Sequence, residues 1–102
     1  MIRGEVWLAE VGRKRRPVVV LTRSEVLDVR ALVTVAEITT SVRRIGAEVE
    51  LGHGDLGLDE ERVVNCDGLH TVAQTTLTTR LGMVDCMTLS RVCAAVSYAL
   101  GC

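Results

Sequence analysis

Pro17-Val18-Val19-Val20-Leu21-Thr22 is apolar on both faces and rich in β-branched residues. A short, two-sided run of this kind predicts a central strand buried on both sides, and Pro17 suits its first position because proline cannot donate to a ladder. The same proline pushes Arg16 into an extended backbone. Upstream, Glu5 to Val11 alternates loosely and predicts a first strand, and Gly12 to Arg16 predicts a tight basic turn. Downstream, Ser24 to Arg30 is a connection, and Ala31 to Ile38 is a third strand ended by Thr39-Thr40-Ser41. Ala47 to Leu51 alternates cleanly, as a strand with one wet face does. Gly52 to Glu61, with three glycines and four acids, reads as a loop containing His53 and Asp55. Arg62 to Cys66 is a fifth strand; Leu69 to Val72 and Arg80 to Val84 are shorter ones, with a helical turn between them. The last segment changes period: Leu89, Val92, Cys93, Val96, Ala99 and Leu100 form one stripe of an amphipathic helix. Asp85 is placed to cap its start and Gly101 its end. The expected fold is mainly β, a small antiparallel barrel with a packed C-terminal α-helix.

Composition bounds the function. The chain has 102 residues, 48% hydrophobic and 25% charged, with a net charge of -1, which fits one domain over residues 1–102 and excludes disorder. No apolar run approaches the ~20 residues of a membrane span. Charge at Arg3 and Glu5 sits where a secretion signal would be apolar, so a cytoplasmic protein is expected. Cys66, Cys86, Cys93 and Cys102 form no C-x-x-C pair, and no His stands at zinc-finger spacing from them, so neither a metal nor a cofactor is expected. Trp7 and Tyr98 are the only aromatic residues. That weighs against nucleic-acid binding on stacked aromatic platforms, though not against binding through arginine.

Eleven of the twelve basic residues are Arg, and six of the twelve fall in two turns: Arg13, Lys14, Arg15 and Arg16, then Arg43 and Arg44. In a meander, turns one hairpin apart share a rim, so the two clusters fit either a phosphate-binding surface or simply solvated turns. Arg16, fixed by Pro17, and Thr39, directly after the apolar Ile38, can meet over one phosphate if their strands are neighbours. Alternation puts Glu37 on the side of Thr39, where it repels phosphate, orients Arg16 or serves as a base. His70 is a rival base by residue type, since imidazole is the side chain best suited to proton exchange near neutrality, while its place in a strand after Leu69 favours a structural or surface-contact role.

A family resemblance covers essentially the whole chain. Arg3-Gly4-Glu5-Val6-Trp7, Arg16-Pro17-Val18-Val19-Val20, Ala36-Glu37-Ile38-Thr39-Thr40, Val63-Val64-Asn65-Cys66-Asp67-Gly68-Leu69-His70-Thr71-Val72, Leu81-Gly82 and the terminal helix occur in the order seen in MazF/PemK toxins. The chain especially resembles actinobacterial members. The resemblance implies an SH3-like barrel acting as a homodimer, and a toxin that cleaves single-stranded RNA at short sequences without ribosome or metal. It implies Arg16 and Thr39 as the catalytic pair. Beside that pair, the clustering of Arg13, Lys14, Arg15, Arg43 and Arg44 reads as RNA contact, with His70 as a further contact and Glu37 as an auxiliary base or orienter. The resemblance also implies a cognate antitoxin whose extended C-terminal segment covers the RNA groove. Here the segment between Gly12 and Pro17 is shorter than in many members, which carry a Gly- and Ser-containing loop before this motif. Two alternatives accompany this reading: a non-catalytic CcdB-like inhibitor of DNA gyrase, and an inactive barrel that binds antitoxin as a decoy.

Overall fold

The computed structural model describes residues 1–11, 13–43, 45–51 and 61–101. The expectations placed on Gly12, on Arg44, on the 52–60 loop with His53 and Asp55, and on Cys102 lie outside the described residues. Six strands form one antiparallel sheet: β1 (Glu5–Val11), β2 (Lys14–Val20), β3 (Leu32–Thr39), β4 (Glu48–Leu51), β5 (Arg62–Ala73) and β6 (Leu77–Met83). Their spatial order is β4-β5-β3-β2-β1-β6. A short helix, α1 (Ser24–Leu27), links β2 to β3, a 3-10 turn at Gln74–Thr76 links β5 to β6, and α2 (Cys86–Leu100) ends the fold.

The run from Pro17 is the interior strand its composition predicts, and Val18, Val19 and Val20 are all fully buried. Alternation sends them to two cores. Val19 joins Val6, Ala36, Ile38, Val64 and Cys66 beneath Val92 and Ala95 of α2. Val18 and Val20 join Ala9, Val33, Val35, Leu77 and Leu27 of α1 on the other face. Each fully buried aliphatic side chain contributes about 1.5–3 kcal/mol of transfer free energy.

The helix ends as its sequence foretold. Asp85 accepts the Thr88 N–H at 2.7 Å, and Gly101 adopts a left-handed φ of 74°, which a side chain would disfavour. Leu89, Val92 and Val96 pack on the sheet, but the last turn leaves it, with Tyr98 and Leu100 exposed.

Two expectations change. β2 starts at Lys14, because Val11 and Lys14 are already ladder partners and the basic turn is largely strand. The fifth strand does not stop at Cys66: β5 runs unbroken to Ala73 through Asp67-Gly68. The turn-like dipeptide is a bulge instead. Register passes from Ala36 opposite Leu69 to Glu37 opposite Asn65, leaving Cys66, Asp67 and Gly68 without opposite partners on β3.

Candidate active site

The end of β3 and the start of β2 lie at the same end of the sheet because the strands are antiparallel. Val18 stands opposite Glu37. Carrying that register two residues further sets Arg16 level with Thr39, on the face of Val18 and Val20. Neighbouring strands are about 4.8 Å apart and same-face residues about 7 Å. Thr39 Oγ1 accepts the Ser41 N–H at 3.1 Å, which orients the oxygen and leaves its proton available to donate.

Between them the strand carries Glu37. Its Oε1 meets Arg16 Nη1 at 3.1 Å, and its Oε2 meets His70 Nε2 at 3.1 Å. The side chains are 38% (Arg16), 18% (Glu37) and 36% (His70) exposed, so the group is supported from beneath and open above. An ion pair this open is worth only ~0.2–1 kcal/mol: it aims Arg16 without locking it against a competing anion. Glu37 thus touches both Arg16 and His70 through its two carboxylate oxygens.

The bulge in β5 makes this arrangement possible. It brings Asn65 opposite Glu37 while His70, beyond the bulge, reaches the same carboxylate. A methyl group on Gly68 would come within 2.9 Å of Asn65 Nδ2 and 3.3 Å of Glu37 Oε2. Gly68 is therefore needed for close approach. Asn65 Oδ1 accepts from the Asp67 N–H at 3.1 Å, which ties the bulge, and from Arg43 Nη2 at 3.4 Å. Sequence reading gave Asn65 and Gly68 no role; an Asn and a Gly inside a strand-like run, both poor strand formers, were the available signal.

The basic residues divide. Arg43 lies at the same end of the sheet as Arg16, its Nε 3.3 Å from Glu48 Oε2. Arg13 and Lys14 stand at the β1–β2 turn of that same end. Arg15 does not join them: alternation sends it to the opposite face from Arg16, where Nη2 donates to Thr78 Oγ1 at 3.5 Å.

The thiols stand apart from this chemistry. Burial, assisted by the neighbouring Asp67 and Cys93, pushes the Cys66 thiol up to about 11, so it behaves as a small core hydrophobe. Among the described residues, no cluster of three or more His, Cys, Asp or Glu side chains could hold a metal ion, and no helix is long and apolar enough to cross a membrane.

A six-stranded antiparallel sheet with one terminal helix defines a class, and comparison with known proteins gives it a name. Residues 2–100 match the family described as PemK-like, MazF-like toxin of type II toxin-antitoxin system. The chain belongs to that family. It is 36% identical over 103 aligned residues to the Mycobacterium tuberculosis protein named probable endoribonuclease MazF5, covering 98% of this chain and 93% of that one. Among solved structures, the Mycobacterium tuberculosis toxin MazF-mt6 superimposes with a TM-score of 0.88 at 32% identity, over 95% of this chain and 96% of the other. An endoribonuclease solved in complex with its cognate antitoxin, from a mycobacterial species, gives 0.89 at 28% identity over 99% and 95%.

Proposed function

We propose that this chain is the toxin of a toxin–antitoxin pair and acts in the cytoplasm as an endoribonuclease. It cuts single-stranded RNA at short sequences, independently of ribosome and metal, and so inhibits translation and growth. The observation that carries the reading is the ion pair of Arg16 with Glu37, which holds the guanidinium beside the end of β3, two residues from Thr39. Membership of the family and the endoribonuclease names of its relatives support it.

RNA brings its own nucleophile. The 2′-oxygen attacks the adjacent phosphorus, the P–O2′ bond forms and the P–O5′ bond breaks, giving a 2′,3′-cyclic phosphate and a 5′-OH. Arg16 neutralises charge that builds on the phosphoryl oxygens and hydrogen-bonds the departing 5′-oxygen. Thr39 hydrogen-bonds a non-bridging oxygen. Arg13, Lys14 and Arg43 supply sequence-independent attraction to the backbone along the same rim; Arg15 acts only where RNA reaches the far face.

The protein works as a homodimer, and the partner that silences it is an antitoxin with an extended segment over the RNA groove; a mycobacterial relative has been solved with its own antitoxin. The test is to map 5′-OH ends in RNA after a brief expression pulse. Defined cut sites that vanish in Arg16→Ala and Thr39→Ala support the reading. Cut sites that persist in both remove the site assignment, and a wild-type protein that cuts nothing removes the activity.

A further inference from the structure

The site so far has a group to stabilise charge on the phosphate but nothing to take the proton of the 2′-OH. Arg16 cannot: guanidinium stays protonated in proteins and has no acceptor. Resting on the reading above, we infer that His70 is the general base and that Glu37 is its positioning residue. Glu37 holds His70 through Nε2, at 3.1 Å. With that N–H donated to the carboxylate, the neutral ring carries its lone pair on Nδ1, which is the acceptor a hydroxyl needs. The same carboxylate holds Arg16 by its other oxygen, at 3.1 Å. One side chain thus fixes the base and the charge-stabilising group on either side of itself, and the bulge with Gly68 at its tip brings His70 and Asn65 to it.

Protons and bonds balance. His70 Nδ1 takes the 2′-OH proton as the P–O2′ bond forms. As the P–O5′ bond breaks, Arg16 stays a guanidinium and hydrogen-bonds the leaving oxygen, which takes its proton from water. The hydroxide left from that water takes the proton from His70, so the enzyme returns to its starting state. The imidazolium formed midway faces the Glu37 carboxylate, which stabilises it. The other charged groups at this end are Arg16 on β2, Asp67 in the bulge of β5, and Arg43, tied to Glu48 on β4 and to Asn65. Glu37 also opposes the arrival of phosphate, so it costs affinity while it aids the chemical step.

That double effect gives the test. Steady-state cleavage of a substrate carrying one mapped site, read as kcat and KM, is measured against pH for the full-length wild type, His70→Ala, His70→Gln and Glu37→Gln. His70→Ala lowers kcat about 100-fold or more. Added imidazole restores part of that rate, and hydroxide restores more as pH rises. Glu37→Gln lowers kcat about tenfold while lowering KM, a split in opposite directions that a merely structural role does not produce. His70→Gln retains the fold by circular dichroism and remains slow. Wild-type kcat in His70→Ala overturns the assignment, and so does loss of activity that neither imidazole nor alkali rescues. If Arg16→Ala is inactive while His70→Ala is not, only the base assignment falls. If the wild type itself does not cleave, the endoribonuclease reading falls first.

Discussion

One face of β3 presents Val33, Val35, Glu37 and Thr39 in succession, and its two ends behave as different materials. Val33 and Val35 are covered by Val18, Val20, Leu27 and Leu77, with Trp7 and Val72 packed at the margin. Glu37 and Thr39, one step further along, are only half-buried, and Glu37 finds ionic partners instead of apolar ones. The lesson concerns cover. An apolar side chain gains by being covered, while a carboxylate covered without partners costs several kcal/mol. The strand therefore carries stability at the end beneath α1 and chemistry at the end left open, with no change in backbone type.

The sharpest way to break this comparison is to attack the open end. Arg16→Ala should lower RNA cleavage by roughly 10²–10³-fold, the usual scale for removing a group that stabilises transition-state charge, with Tm nearly unchanged. Thr39→Ala should act in the same direction. A Tm loss equal to that of a core variant would show that the ends are not separable. The reciprocal change is Val35→Ala at the covered end. It should cost about 2 kcal/mol in denaturant unfolding, while the folded fraction cleaves RNA at the wild-type rate. Gly68→Ala sits between the two, since its methyl group presses on Asn65 and Glu37. It should slow cleavage about tenfold, the effect of a small misplacement, and cost less stability than Val35→Ala.

The smallest effect concerns Glu5, a buried acid on β1. Burial alone pushes the Glu5 carboxyl up, but hydrogen bonds from Arg80 and the Ile2 N–H outweigh it and hold the group below the usual carboxylate range. A depressed native pKa means stability that is present above the unfolded value of 4.5 and is lost as pH falls through the folded value. Thermal scans from pH 6 to 3 should therefore show a drop below about pH 4.5, and Glu5→Gln should flatten it, with an effect near 1 kcal/mol at pH 7. An unchanged acid slope in the variant would assign the drop to other groups, such as the cap Asp85, whose pKa is lowered by the Thr88 N–H.

Much of this was legible from local pattern. The strand from Pro17, the alternation of β1 and β4, the stripe of α2 and both of its caps followed from periods of two and 3.6 and from residues at the ends of elements. The family order of the motifs pointed to Arg16 and Thr39. What misled was Asp67-Gly68, which has the composition of a turn and lies within a strand. The continuity of β5 depends on pairing with β3, some thirty residues away, and no local rule contains that.

The sequence by itself therefore determined most of the strands, the terminal helix with both its caps, and that a guanidinium would stand beside a proline. Only tertiary structure decided that Glu37 lies between Arg16 and His70, that Asn65 and Gly68 serve this contact, and that Arg15 turns to the far face. Secondary structure is set by neighbours along the chain, whereas an ion pair across three strands is set by register. Register is fixed only when the whole sheet settles its bulges and buries its two cores together.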